Sequence, residues 1–154
     1  MTRIPSSYLD EHGREWPLHV EAEAEAGHGL AIEVVRQDIT FTVAEDRVRE
    51  IRDRLRAATI NAGMHWPHRR WTVRVHLLGA EPATQLPHHE HDLPLWLAMM
   101  GAADAAGVNE AGSRFVTWRG ALSLNGRLTH PRGVSLAHVA ALTARHAEIG
   151  AAHA

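Results

Sequence analysis

The stretch TVAEDRVREIRDRLRAATINAGMHWPHRRWTVRVHLL, residues 42–78, decides the fold class of this chain. Its first half predicts a helix with one buried stripe, because apolar residues recur there at helical spacing, at Val48, Ile51, Leu55 and Ala58. Thr42 and Glu45 form a capping-box pattern at the start of that helix, and Gly63 is suited to its end. The second half alternates apolar and polar residues over residues 71–78, which predicts a strand buried on one face.

The segments around this stretch add hairpins and two further helices. Alternation over residues 17–26 predicts a strand, and residues 30–35 and 39–43 read as the arms of a hairpin. Helices are predicted over 94–106 and 136–149, the second capped by Ser135. Short strands are predicted at 115–118, 121–124 and 127–130, the last two joined by an Asn125-Gly126 turn. This order predicts an α+β fold with a mixed sheet and about three helices.

The domain organisation follows from length and composition. At 154 residues the chain is expected to form a single domain over residues 17–154, preceded by a polar, flexible leader over residues 1–16. The first residues do not resemble a signal peptide, and the longest apolar run is too short to span a bilayer. We therefore expect a cytoplasmic protein.

The residue types that are missing exclude several kinds of chemistry. All 16 of the Lys+Arg residues are arginine, so the chain cannot contain a P-loop, which needs a lysine. Without cysteine it has no disulfide, no thiolate zinc site and no cysteine nucleophile. The formal net charge of −2 gives no general indication of nucleic-acid binding.

Three stretches in order resemble the N-terminal domain of the magnesium-chelatase-like, ComM-type AAA+ family. Residues 50–73 are similar to the family's E-S-R-E-R-V-R-A-A…N-S-G…P…R-x-T-V segment. The sequence Asp92-Leu93-Pro94-Leu95 is similar to D-L-P-I-A, and residues 119–134 are similar to G-E-L-S-L-D-G-R…R-G-V. The resemblance covers residues 17–145 and implies a Lon-protease-like fold, also called ribosomal protein S5 domain 2-like.

The departures from the family pattern bear on function. In Lon this domain is a serine–lysine peptidase, whereas in ComM-type proteins it is a non-proteolytic module beside an ATPase that works on branched DNA. Here the family's N-L-A-P-A-D-L-P-K-E-G loop has become residues 76–91, which are longer and contain no lysine. No serine lies near Asp92, and Ser135 rather than lysine stands near the other half of the dyad. No AAA+ module follows in this sequence, so we expect a stand-alone domain without catalytic residues.

The run His88-His89-Glu90-His91-Asp92 is the most conspicuous chemical feature. Imidazole nitrogens suit zinc or nickel, so His88, His89 and His91 are candidate ligands for either metal. Adjacent residues do not easily face one ion, and a solvated loop is the simpler interpretation. Asp92 is better explained as the N-cap of the helix that opens at Leu93-Pro94. No cofactor is otherwise predicted.

Arginines supply the other candidate site, for nucleic acid. Arg52 and Arg56 lie on the first helix, and Arg69 and Arg70 stand beside Trp66 and Trp71, a mixture that can hold phosphates and stack on bases. The helix arginines are interleaved with acids, so a solvated or oligomer-facing helix explains them as well. Ser135 and His138 are similarly better explained by helix capping than as a nucleophile and base.

Three functional hypotheses result. The first is a non-catalytic Lon-like module that self-associates or docks on a separately encoded AAA+ ATPase, in DNA processing. Its surfaces would be the arginine face and the small residues of the helix over 94–106, namely Ala98, Gly101, Ala102 and Ala105. The second is a metal-dependent protein or enzyme that uses residues 88–92. The third is direct binding of DNA through the arginines.

Overall fold

A computed structural model describes residues 1–79, 86–114, 116–129 and 132–152. The described residues form one five-stranded sheet in the order β1-β2-β5-β3-β4. The strands are β1 (Thr2–Leu9), β2 (Glu15–Glu25), β3 (Gly29–Arg36), β4 (Ile39–Thr42) and β5 (Arg70–Leu77). The helices are α1 (Glu45–Asn61), α2 (Asp92–Ala102), α3 (Glu110–Ser113) and α4 (Leu136–Ala152), and one 3₁₀ turn spans His89–His91.

The sheet is mixed because α1 carries the chain from one edge back to the centre. Strands β1, β2 and β5 pair antiparallel, and so do β3 and β4, whereas β3 and β5 are parallel. The predicted α+β class with a mixed sheet is confirmed. None of the helices of the described residues combines the length and the apolar character needed to cross a membrane.

One face of the sheet carries the core and the other carries polar side chains. Trp71, Val73 and Val75 of β5 point into the core, while Arg70, Arg74 and the residues between them in the alternation point away from it. Helices α1 and α2 cover the core face. The buried stripe of α1 agrees with the prediction, since Val48, Ile51, Leu55 and Ala58 are all buried.

Helix α2 is buried on every side, from Asp92 to Met100. Its sequence is apolar all round, and such a helix belongs inside a core. A side chain at Gly101 would stand 2.8 Å from Cγ2 of Thr2, so this glycine lets β1 approach the helix closely. Of the small residues predicted to form a self-association surface, Ala98 is buried, while Gly101, Ala102 and Ala105 are half-buried. Ala102 and Ala105 pack against the core, so much of this predicted surface lies inside the domain.

The prediction of a flexible leader is wrong for Thr2–Leu9, which form β1 along the edge of the sheet. Ile4 and Tyr8 are fully buried, and so are Thr2, Ser6 and Ser7. The polar composition concealed a strand because part of its polarity is satisfied internally: the hydroxyl of Ser6 donates to the carbonyl of Trp118 at 2.7 Å.

Two predicted helix starts are also wrong. Helix α1 has Ala44 as its N-cap with no side-chain cap, because Thr42 remains in β4, where it pairs with Glu33. Helix α2 has His91 as its N-cap, and Asp92 is the first helical residue. The end near Gly63 is confirmed, since that residue adopts a φ of 82° directly after α1. Helix α2 ends at Ala102, four residues earlier than predicted, before Asp104 and Ala106 with positive φ.

The C-terminal third contains less strand than predicted. Over residues 116–129 and 132–135 the structure has isolated bridges between Leu122 and Leu128 and between Arg127 and Ser135. Phe115 and His130 lie outside the described residues. The turn at Asn125-Gly126 is confirmed by the bond from the Ser123 amide to the Arg127 carbonyl, 3.0 Å long. Backbone groups of this region bond to other segments instead of a sheet, as Leu93 N–H does to the Gly120 carbonyl.

The last helix begins as predicted, since the Ser135 hydroxyl accepts from the His138 amide at 3.2 Å. The short helix α3 was not predicted. Asn109 caps it, and Gly112 is so close to α4 that a Cβ there would stand 1.6 Å from the Thr143 carbonyl oxygen. This contact holds α3 against α4.

Candidate functional site

Several long-range polar contacts of the described residues converge at the start of α2. The Asp92 carboxylate is buried, with 1% of its side chain exposed, and Arg54 of α1 reaches it with two parallel bonds of 2.9 Å. The Leu122 amide donates to the same carboxylate at 3.2 Å. We call these residues, together with His89, the Asp92 junction. It ties α1, α2 and the segment after residue 116 to one another.

His89 completes the junction from the solvent side. Its Nε2 lies 3.0 Å from Oδ2 of Asp92 and 3.2 Å from the carbonyl oxygen of Leu122. Burial raises the pKa of Asp92, although the Arg54 guanidinium opposes that rise. Burial opposes a rise in the pKa of Arg54, but the Asp92 carboxylate outweighs it, so the pKa of Arg54 is raised. The bidentate geometry is that of a buried ion pair, which holds the two helices together with one guanidinium bond to each carboxylate oxygen.

His91 is a structural residue. It is fully buried, its Nδ1 accepts from the His88 amide at 2.9 Å, and its Nε2 donates to the Ser7 carbonyl at 2.9 Å. The two contacts require a neutral ring with the proton on Nε2. Burial lowers the pKa of His91, which agrees with the neutral form. Both ring nitrogens are engaged, so neither offers a lone pair to a metal.

The three histidines predicted as metal ligands do not converge. His91 is directed into the fold, His88 stacks on it with ring centroids 5.7 Å apart, and His89 faces Asp92. The segment joins elements through hydrogen bonds and an ion pair between Glu90 and Arg119 at 2.6 Å. This arrangement does not favour zinc or nickel at residues 88–91.

A different group has metal-ligand geometry in the described part of the chain. His19 and Glu21 of β2 and His76 of β5 each offer a ligand atom, and these atoms lie within 4.8 Å of one another. His19 and His76 are directly opposite in the antiparallel pair, with ring centroids 4.8 Å apart. The group was not predicted from the sequence, because His76 lies 55 residues from Glu21 and 57 residues from His19 along the chain. The signal was present in the polar positions of two strands that were correctly predicted.

Electrostatics inside this group favour neutral imidazole at His19. Burial lowers the pKa of His19, and the charges of Arg3 and His76 lower it further. Burial opposes the lowering of the Glu21 pKa, but Arg3 and His76 outweigh it. Glu21 is therefore a carboxylate near neutral pH.

The four arginines predicted to bind nucleic acid are not gathered on one surface. Arg52 and Arg56 lie on α1, on the core side of the sheet, and Arg52 bonds to Asp53 at 3.2 Å. Arg70 lies on the opposite face, where Glu25 pairs with it at 2.7 Å. Arg56 and the half-buried Arg69 form no ion pair with the described residues. Trp66 packs on Trp71, whose indole donates to the Met99 carbonyl, so the aromatic residues serve the core.

Comparison with known proteins identifies the family. The family model described as subunit ChlI of Mg-chelatase matches residues 31–152, which is most of the chain. No curated protein matches the sequence. The matched range runs from β3 to the end of α4 and contains the Asp92 junction. The α+β architecture with its mixed sheet agrees with the Lon-like fold expected from the resemblance. The chain belongs to the family of the Mg-chelatase subunit ChlI.

Proposed function

We propose that this protein is a non-catalytic assembly module, which self-associates through the outer edge of β4. The observation that carries the proposal is the exposure of this edge. Strand β4 pairs with β3 on one side only and ends the sheet on the other, and all four of its residues are exposed. Its Ile39 and Phe41 keep 46% and 54% of their surface open to solvent.

An edge of this kind favours pairing with another strand. Its outer N–H and C=O groups lie at the boundary of the sheet, and apolar side chains beside them add surface for burial. A second copy of the chain offers the same edge, so two copies can pair antiparallel about a two-fold axis. The family name describes a subunit of a larger enzyme, which supports a role in assembly.

The composition and the contacts of two candidate groups in the described residues support the non-catalytic part of the proposal. The sequence has neither lysine nor cysteine, and the Asp92 carboxylate is closed by Arg54. Ser135 and His138 meet through a backbone amide at a helix start, which is a cap and not a nucleophile beside its base.

The first test is the mass of untagged protein by light scattering coupled to size exclusion, across a concentration series. We expect a mass that rises above 17.0 kDa with concentration. Phe41→Glu should shift the protein towards monomer because it places a charge in the edge contact. Leu124→Glu is the matched control, since Leu124 is exposed by 59% and its carbonyl accepts from Asn61, at the opposite end of α1 from β4.

The second proposed partner is a separately encoded AAA+ ATPase that acts in the processing of DNA, and the protein would dock on it through the same edge. The resemblance to ComM-type proteins supports this partner. The test is the affinity for a purified ComM-type ATPase, with Phe41→Glu and Leu124→Glu compared as before. A protein that stays monomeric at every concentration and binds no such ATPase would overturn the assembly proposal.

Direct contact between this protein and DNA can be tested independently of its assembly. Arg52 and Arg56 lie on one helix, so branched DNA should bind more weakly as salt rises if they contact phosphates. The double variant Arg52→Gln with Arg56→Gln should then reduce the salt dependence, whereas Arg70→Gln on the other face of the sheet should not. No binding at low salt would remove DNA and leave assembly intact.

A further inference from the structure

A group of three side chains on the polar face of the sheet has the composition of a metal site. Nε2 of His76 lies 3.0 Å from Oε2 of Glu21, and Nε2 of His19 lies 3.4 Å from Oε1 of the same carboxylate. A tetrahedral ion with bonds of about 2.0–2.1 Å keeps its ligand atoms roughly 3.4 Å apart. The two contacts reach different oxygens of Glu21, and the three ligand atoms lie within 4.8 Å of one another. Rotation of the side chains about their own bonds must therefore bring these atoms closer together around an ion.

The backbone holds the three side chains in these positions. His19 and His76 are Cα partners in the antiparallel pairing of β2 and β5, at the centre of the sheet. Glu21 lies two residues further along β2, so it projects from the same face. The core packs against the opposite face of both strands. The ligands are therefore fixed by rigid strands and not by a loop.

Arg3 of the neighbouring strand orients the carboxylate. Its Nε and Nη2 both donate to Oε1 of Glu21, at 3.0 and 2.6 Å, which leaves Oε2 directed at His76. Contacts of this kind fix the orientation of metal ligands in known sites. The positive charge of Arg3 weakens cation binding, and the carboxylate that it pairs with offsets that charge.

We propose that His19, Glu21 and His76 form a binding site for a divalent transition-metal ion, zinc by preference. Two imidazoles with one carboxylate suit zinc or nickel, whereas magnesium and calcium select all-oxygen sites. The three side chains are half-buried and not enclosed, so solvent reaches the fourth position. His19 also lines a surface cleft of about 600 Å³ together with Arg3, Pro17, Leu78 and Arg114.

The test measures zinc binding to the untagged full chain by isothermal titration calorimetry. We expect one equivalent of zinc to bind and the thermal midpoint of the protein to rise with zinc. His19→Gln and His76→Gln should each weaken that equivalent by more than about tenfold, because each removes a ligand. Cobalt in place of zinc should give visible absorption of a four- or five-coordinate ion in the wild type, and the two variants should lose it.

His12→Gln is the matched control. His12 also lies beside a carboxylate, Glu11 at 3.4 Å, but it is 80% exposed and the described residues supply no third ligand there. This variant should bind zinc as the wild type does. Circular dichroism of each variant without metal verifies that glutamine has left the sheet intact.

Two results would overturn the inference. One is a wild type without a stoichiometric zinc equivalent. The other is an equivalent that persists in both His19→Gln and His76→Gln, because the ion would then be held elsewhere, for example at residues 88–91. Neither result bears on the assembly proposal, which depends on the mass of the protein and on Phe41.

Discussion

Two groups of histidines in this molecule have opposite roles. His88, His89 and His91 are near neighbours in sequence, and the fold directs them to different partners: His91 to the Ser7 carbonyl, His89 to Asp92 and His88 against the ring of His91. His19 and His76 are far apart in sequence, and strand pairing places them directly opposite each other, beside Glu21. The three histidines that are neighbours in sequence hold elements of the fold together. The two that are distant in sequence form, with Glu21, the cluster that suits an ion.

The difference shows what strand register adds to a list of residues. In a loop, consecutive side chains point in different directions, so proximity in sequence does not give a shared centre. In an antiparallel pair, opposite residues have Cβ atoms roughly 4.5–5.5 Å apart on the same face. The four predictions below test whether the first group is structural and the second is free to bind, beginning with the largest expected effect.

The largest effect should come from Arg54→Ala, which leaves the buried Asp92 carboxylate without its guanidinium partner. Removing one partner of a buried ion pair costs about 3–5 kcal/mol, and the lower end applies because Arg54 keeps 17% exposure. Urea denaturation of the two proteins measures the loss. Arg52→Ala is the control, and its exposed pair with Asp53 should cost at most about 1 kcal/mol. Equal losses would show that the junction is not a stabilising centre.

The next effect should come from His91→Ala. The change removes both hydrogen bonds of a fully buried ring and leaves the Ser7 carbonyl and the His88 amide without their partner. Each buried group left unsatisfied costs about 1–3 kcal/mol. Denaturant unfolding should therefore show a clear drop in the free energy of unfolding. A value within error of the wild type would contradict the structural role given to His91.

Acidification should destabilise the protein in the range where histidine titrates. Burial lowers the pKa of His91 below its ordinary value of 6.5, so the unfolded chain takes up a proton near that pH and the folded chain does not. Stability is then lost as the pH falls through 6.5 towards the folded pKa. The thermal midpoint should be lower at about pH 5.5 than at about pH 7.5.

His91→Ala should show a smaller change with pH than the wild type. Part of the change will remain, because the pKa of His19 is lowered in the same direction. Glu90 contributes only in more acidic solution, since Arg119 lowers its pKa from 4.5 although burial opposes this. A thermal midpoint that does not change between the two pH values would contradict the buried neutral histidine.

The smallest effect on stability should come from His76→Gln. This side chain lies on the polar face of the sheet and contacts Glu21, which retains both bonds from Arg3. We expect a change within about 0.5 kcal/mol in metal-free buffer, measured by the same denaturant unfolding. If the free energy of unfolding fell as much as in His91→Ala, His76 would also be holding the fold together. The contrast between the two histidine groups would then disappear.

Local patterns predicted the elements whose buried face differs sharply from their exposed face. The stripe of α1 and the alternation of β2 and β5 were found for this reason, and the α+β class followed. Strand β1 was missed because its buried positions include Thr2 and Ser6, whose polarity is typical of a loop. After residue 116 the predicted hairpin is present only as a short pair of segments with one bridge between Leu122 and Leu128. The preceding backbone joins no sheet, because Gly120 bonds to Leu93 of α2 and to Glu90 of the 3₁₀ turn.

The sequence by itself determined the class of fold, the family, and the absence of lysine and cysteine chemistry, because periodicity, motif order and composition are local or countable properties. Only the tertiary structure decided which polar residues share a centre. In the structure Asp92 forms an ion pair with Arg54, and the His91 ring is buried against Ser7. His19, Glu21 and His76 lie together on one face of the sheet. The physical reason is that such contacts join residues tens of positions apart, and their partners are fixed by sheet register and helix packing.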